Sequence, residues 1–433
     1  RAYASEVVEP NIAYSKEHPL TYQQAITLLH IPETMQDADS ARQRLALEEA
    51  TTLQEKVQIR RKRFMESMKA LPCAHDNRLI KPFLESLPFQ LTKAQIRVLA
   101  EFREDLSVQH PMRRLLQGDV GSGKTVIAVM AALMVLESGY DASMMAPTTL
   151  LAEQHYRTIS QWLAPYPIQV ALHTGNTKTP TKSELPLFTI GTHALIQSNE
   201  TSKKLGMVII DEQHKFGVTQ RDKLLRRGAH PHLLVMTATP IPRTMGLTLY
   251  GDLDISTLEE MPAGRGSLKT YLRTANSRPK VLSFLKKQIG TGRQAYFVFP
   301  RVEEKEESEI TAVTKELSVL SEYFAPFRVA MVHGKMKSEE KDRIMRSFSD
   351  GETQILLATT VIEVGGDVPN ATVMVIEEAE QFGLAQLHQI RGRIGRGLHA
   401  SHCILIGDET KKEAWERLKV LEQTRDGFLI SEA

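Results

Sequence analysis

The stretch GDVGSGKT, residues 118–125, follows the short run RRLLQ and precedes TVIAVMAALMVLESG. It satisfies the phosphate-loop pattern G-x-x-x-x-G-K-[ST] between a candidate strand and a candidate helix. Gly118, Gly121 and Gly123 let backbone N–H groups turn toward a phosphate chain, and the helix N-terminus adds a favourable dipole. Lys124 is placed to reach the β- and γ-phosphates, and Thr125 to offer its hydroxyl to Mg²⁺. Asp119, Val120 and Ser122 complete the cradle, which makes 118–125 the candidate ATP site.

A strand–loop–helix unit of this kind belongs to a doubly wound α/β sheet, and the flanking sequence agrees. Short apolar runs alternate with helical stretches: RRLL, ASMMAP, LFTIGT, MVIIDE and HLLVMTAT, then, after residue 290, QAYFVFP, RVAMVHG, QILLATT, TVMVIEEA and SHCILIG. Strands of this length separated by helices predict parallel sheets, and two series predict two lobes. The segment between them, GDLDISTLEEMPAGRGSLKT, holds turn residues and few apolar runs, as a linker does. Residues 41–70 contain no Gly or Pro among spaced Leu, Val and Ile, which predicts a long helix. Its RRKR at 60–63 is either a solvated helix face or a phosphate contact, the former being the commoner use of such a run. The passage 174–195 looks short for a strand–helix–strand connection.

Composition narrows the function classes. At 433 residues the chain exceeds one ordinary core, and a net charge of +2 gives no global basic field, although a local groove can still be basic. Two cysteines, Cys73 and Cys403, cannot build a disulfide framework or a zinc site, and they read as buried free thiols in a reducing compartment. The longest apolar run, Val126 to Leu136, is too short to span a bilayer and predicts a buried helix. The opening RAYASEVVEP carries no secretory pattern.

The partner of the phosphate loop is VIIDEQH, an apolar strand ending in two acids. Asp211 is the candidate Mg²⁺ ligand, directly or through water. Glu212 is the candidate group that orients or deprotonates the attacking water, with Gln213 and His214 as γ-phosphate sensors. Five further motifs occur in order: MAPTTLLAEQ (145–154), GTHAL (191–195), TATPIPRT (237–244), ATTVIEVGGDVPN (358–370) and QIRGRIGRG (389–397).

With these motifs the chain resembles superfamily 2 helicases and translocases through both lobes, and the fold implied is two RecA-like doubly wound parallel-sheet lobes with an N-terminal helical linker segment. DEQHKFGVTQR, TATPIPRT and FGLAQLHQIRGRIGRG resemble the RecG family of branched-DNA helicases, as do YQQAITLLHIPET, ARQRLALEEATTLQ and LPFQLTKAQIRVLAEF upstream. The domain division this implies is 1–88 helical linker region, 89–255 ATP-binding lobe, 256–272 interlobe linker and 273–433 second lobe. Arg393 and Arg396, set in Q-x-x-G-R-x-G-R with Gln389, match the arginines that enter the nucleotide cleft from the second lobe, where they stabilise charge on the γ-phosphoryl group. The resemblance also implies ATP contacts at His214, Gly365 and Asp367. Phe89, Thr92 and Gln95 become adenine-side candidates, although Thr92 also reads as a helix cap.

Thr148, Thr192, His193, Thr359 and Thr360 are candidates for strand contacts, since small hydroxyls and loop N–H groups suit phosphates without reading sequence. Thr239 is the candidate coupler between nucleotide and nucleic acid. The function implied is an ATP- and Mg²⁺-dependent DNA translocase that reverses stalled forks and migrates Holliday junctions. Branched double-stranded DNA is the implied partner, with single-stranded DNA-binding protein a further one, for a monomer in the bacterial cytoplasm at the nucleoid. A transcription-repair coupling translocase is the alternative within the class, and a nucleotide-gated DNA-binding module without turnover the alternative outside it. The chain departs from the family in three places. Residues 1–40 are too short for the wedge, the helical hairpin expected after DGFLISEA is not present, and residue 366 is Gly where the family usually has a β-branched residue. The expectation is a piece of a longer RecG-like protein.

Overall fold

The computed structural model of the chain describes residues 19–71, 73, 76–175, 177–181, 184–197, 204–212, 230–238, 253–262, 266–300, 306–334, 336–359 and 368–432. Two compact units divide it: one of Arg1–Met68 with Arg243–Asp254, the other of Lys69–Pro242 with Ile255–Ala433.

In the first unit the expected long helix runs Met35–Ser67 and packs against the helix Tyr22–His30. Each helix begins at a threonine that caps it. Thr21 and Gln24 form a reciprocal capping box, and Thr34 exchanges hydrogen bonds with Asp37. The buried Arg44 Nη1 donates to Glu48 Oε2 at 2.5 Å, one helical turn on, and its Nε donates to the Leu20 carbonyl at 3.1 Å. Of the basic run at 60–63, Arg61 is held by both oxygens of Asp254 at 2.7 Å each, so this arginine is committed within its own unit.

The second unit holds two parallel sheets. The first contains β1 (Arg113–Gly118), β2 (Asp141–Met145), β3 (Gln169–His173), β4 (Leu187–Gly191), β5 (Leu205–Asp211), β6 (His232–Thr237) and β7 (Asp254–Leu258), in the order β3-β4-β2-β5-β6-β1-β7. The second contains β8 (Leu268–Thr274), β9 (Gln294–Val298), β10 (Val329–Val332), β11 (Ile355–Ala358), β12 (Ala371–Ile376) and β13 (Ser401–Gly407), in the order β10-β11-β9-β12-β13-β8. All ten apolar runs named from the sequence are strands. The non-consecutive strand orders are those of crossover connections, so helices cover the sheet faces.

Strand periodicity explains the second core. Tyr296, Val298, Leu356, Met374, Ile376, Cys403 and Leu405 pack in one cluster, while Ala295, Phe297, Ile355, Leu357, Val375, Ile404 and Ile406 pack in another. Successive side chains point to opposite faces, so each of these strands feeds both cores and reads as a continuous apolar run. In the first lobe the helix Lys124–Leu136 has every residue from Val126 to Leu136 buried, at up to 3% exposure. A helix that is apolar all round has no surface to offer water.

Two strands fall where a linker was expected: β7 closes one edge of the first sheet and β8 one edge of the second. Their sequences, DISTL and LKTYLRT, are half polar because edge strands meet solvent on one side, so they lack the apolar signal of the central strands. The passage 174–186 connects parallel β3 and β4 with no helix among its described residues. Its length suffices for a parallel crossover.

Both cysteines are free and buried. Burial pushes the Cys73 thiol up to about 11 against a hydrogen bond with Ser138, and the Cys403 thiol up to about 12 against the Arg391 charge. Each thiol stays protonated until the pH approaches its raised value, and only the thiolate reacts. The folded protein is therefore expected to leave both unlabelled by Ellman's reagent at pH 8, with two reacting in denaturant. Rapid labelling of the native chain would contradict this.

Candidate functional site

The strand register brings the two nucleotide motifs to one level. β6 pairs in parallel with both β1 and β5, setting Gln117 beside Thr237 and Asp211 beside Met236. The phosphate loop and the two acids thus leave the carboxyl ends of β1 and β5, which flank β6, where ligands bind in sheets of this kind. A cavity of about 250 Å³ opens there, lined by Lys124, Thr125, Asp211 and Glu212 from the first lobe and by Gln389, Arg393 and Arg396 from the second.

The loop is shaped by two glycine requirements. Gly123 has φ +88°, and a Cβ there would stand 2.3 Å from Gln95 Nε2. Gly392 of the second lobe lies against Val120 of the phosphate loop, and a Cβ would meet Val120 Cβ at 2.8 Å. Only a residue without a side chain permits that approach of the lobes. Lys124 Nζ donates to the carbonyls of Gly118 at 2.8 Å and Asp119 at 2.9 Å. Burial pulls its ammonium below the ordinary value, while Glu212, Asp211 and Asp119 favour the charge.

The two acids are driven apart by their surroundings. Burial would raise Asp211, but the hydrogen bond and charge of His155, aided by Lys124 and Arg393, hold it below the usual carboxylate range. Burial raises Glu212, and the charge of Asp211 beside it raises it further. Adjacent carboxylates separated in this way suit different roles, one as a permanent anion and one as a proton acceptor. Glu212 also holds φ +53°, a left-handed conformation uncommon outside glycine, and its carboxylate lies 3.5 Å from the Ala238 amide. Asp211 and Thr125 line one cavity with Lys124, and a carboxylate with a hydroxyl is a donor set that fits Mg²⁺, which keeps waters and phosphate oxygens for its other positions.

The remaining candidates divide. Thr92 caps the helix Lys93–Ser107, with the Gln95 amide N–H on its hydroxyl at 3.2 Å and its own N–H on Gln95 Oε1 at 2.9 Å. Gln95 Nε2 donates to the Ser122 carbonyl at 2.8 Å, so this buried amide braces the phosphate loop. Phe89 is exposed. Thr148 caps the helix Thr149–Leu163 and His193 is exposed, whereas Thr192 and Thr359 are buried at 3% and 2%. Gln213, His214, Thr239, Thr360, Gly365, Gly366 and Asp367 lie outside the described residues.

Three functional contacts escape the motif reading. His155 Nε2 sits 3.0 Å from Asp211 Oδ2, one residue past the end of MAPTTLLAEQ. His388, the residue before the Q-x-x-G-R motif, donates from Nε2 to Asp119 Oδ1 at 2.7 Å, joining the second lobe to the phosphate loop. Its Nδ1 accepts from Arg391 Nη2 at 2.9 Å, which fixes that tautomer, and Arg391 Nη1 donates to the carbonyls of Leu421 and Thr424. Position next to a motif was the signal available for both histidines.

Comparison with known proteins finds matches across both lobes. The DEAD/DEAH box helicase family matches residues 92–247, and the helicase conserved C-terminal domain matches residues 280–397. An ATP-dependent DNA helicase RecG of Synechocystis is 46% identical over 98% of this chain and 52% of its own length. The protein of the same name from Bacillus subtilis is 44% identical over 95% of this chain and 62% of its own. A structure of RecG bound to a three-way DNA junction superposes with a TM-score of 0.85 at 41% identity, covering 99% of this chain and 58% of that one. The chain thus spans between half and two thirds of the length of these relatives. Among the described residues no helix is long and apolar enough to cross a membrane.

Proposed function

This chain belongs to the RecG family of ATP-dependent DNA helicases, and from that premise we propose that it carries the ATP-driven motor of a protein that remodels branched DNA, reversing stalled forks and migrating Holliday junctions. The observation that carries this reading is the meeting of Arg393 and Arg396 with Lys124, Asp211 and Glu212 around one cavity. A module that only bound nucleotide would not need a base and two cationic groups aimed at the same phosphate.

The proposed chemistry is hydrolysis of the terminal phosphate bond. Lys124 exchanges its two backbone carbonyl partners for β- and γ-phosphate oxygens. Thr125 and Asp211 would hold Mg²⁺, which would neutralise phosphate charge. Glu212 takes a proton from water as the water oxygen attacks the γ-phosphorus, and the bond to ADP breaks. Arg393 and Arg396 stabilise the charge that develops on the transferring group, an effect available only while the second lobe is in place. We assign the half-buried Thr148 and the exposed His193 to contacts with the DNA backbone, and propose the same partner for Thr192, Thr239, Thr359 and Thr360. The whole protein is proposed to act as a cytoplasmic monomer at the nucleoid and to work beside single-stranded DNA-binding protein.

Displacement of a labelled strand from a synthetic three-way junction tests the reading. The full-length protein is expected to release the strand only with ATP and Mg²⁺, and Lys124→Ala to release none. Equal displacement by Lys124→Ala, or ATP turnover without any effect on junctions, contradicts it.

A further inference from the structure

The helix Thr149–Leu163 touches more of the machinery than any motif assigned to it. Ala152, Ile159 and Leu163 fasten one side of it into the first lobe's core. Leu150 lies in the second lobe's core cluster, which includes Met345 and Phe348 of the helix Ser338–Ser349. Glu153, one turn on from Leu150, holds Arg346 of that same helix, with both carboxylate oxygens 2.7 Å from Nη2. Leu151 and His155, again one turn apart, line the nucleotide cavity, and His155 Nε2 reaches Asp211 Oδ2 at 3.0 Å. Helical geometry turns residues 150 and 153 to one partner and 151 and 155 to another.

We propose that His155 is a positioning residue for Asp211, aiming its carboxylate at the magnesium site, and that the second lobe sets this aim by gripping the same helix through Leu150 and the Glu153–Arg346 pair. The proposal rests on reading Asp211 as the magnesium ligand. Hydrogen bonds from outside the ligand shell fix the orientation of metal-binding carboxylates, and their loss typically weakens metal binding by about 10- to 100-fold. Here the bond comes from an element that the other lobe holds. Withdrawal of the second lobe draws on the helix, and the helix carries His155 with it. A rigid helix suits this, since side chains fixed to both lobes leave it little freedom to absorb displacement locally.

The test is the Mg²⁺ concentration that half-saturates binding of a fluorescent ADP analogue, with binding in EDTA as baseline. His155→Leu, which keeps bulk but loses the hydrogen bond, is expected to raise that midpoint by about 10-fold, each variant being read against its own EDTA baseline. His155→Gln, whose amide can reach the same carboxylate oxygen, should recover most of the loss. Arg346→Glu should move the midpoint in the same direction, and Glu153→Arg combined with Arg346→Glu should return it. A midpoint unmoved by His155→Leu, or moved equally by His155→Gln, overturns the positioning role. A midpoint indifferent to Arg346→Glu overturns the link to the second lobe. Wild-type binding that ignores magnesium contradicts the assignment of Asp211 itself, and the proposal falls with it.

Discussion

Glu212→Gln is expected to bind ATP with near-normal affinity and to hydrolyse it about 10² to 10⁴ times more slowly, the range that a positioned general base contributes. The amide keeps the volume of the side chain at the end of β5 and can lie against the Ala238 amide as the carboxylate does at 3.5 Å. What it cannot do is accept a proton. The surroundings favour this role for Glu212 over Asp211. Burial and the neighbouring anion raise the Glu212 carboxyl, whereas His155 with Lys124 and Arg393 keeps Asp211 charged against its burial. Single-turnover phosphate release measured beside nucleotide binding checks the split. A variant with unchanged turnover removes Glu212 from the chemistry, and one that no longer binds nucleotide makes it a structural residue.

Arg396→Ala should likewise keep nucleotide binding and lose a factor of about 10³ or more in turnover. The residue lies in the second lobe, and its Nε donates to the Gly392 carbonyl at 3.1 Å, one turn back in its own motif. That bond steers the guanidinium, while the lobe's core is built by apolar side chains of β9, β11, β12 and β13 and, from this motif, by Ile390 and Ile394. The fold should therefore survive the substitution. The largest effect is expected after lobes and nucleotide have come together, since a cation acting across a cleft stabilises charge only when water is excluded from between them. Melting curves beside ATPase rates separate the outcomes: a variant that unfolds at the temperature of the assay identifies Arg396 as a structural residue.

The interior strands of both sheets were legible in the sequence, with one edge strand, β10, while the other three edge strands, β3, β7 and β8, were not. MVIIDE and QILLATT announce themselves by four consecutive apolar residues each, while DISTL and LKTYLRT carry the mixed composition of strands with one solvated side. The same physics sets the limit at the site. Lys124, Asp211, Glu212, Arg393 and Arg396 are legible because phosphate chemistry dictates both their types and their spacing. His155 and His388 are not, since a histidine on a helix is usually a core or surface residue, and its partner is decided by packing between segments far apart in the chain. Gln95 shows a third case. Its place in LTKAQ makes it a base-contact candidate beside a helix cap at Thr92, and the bonds it makes are a reciprocal box with Thr92 and a brace to Ser122.

The central claim, that one cavity between the two lobes hydrolyses ATP to drive movement on DNA, is tested most directly by steady-state phosphate release with and without a three-way junction. The account predicts magnesium-dependent turnover that rises when junction DNA is added and falls to background in Lys124→Ala. Turnover that persists in Lys124→Ala, or its absence from the folded wild-type protein with and without DNA, would contradict it.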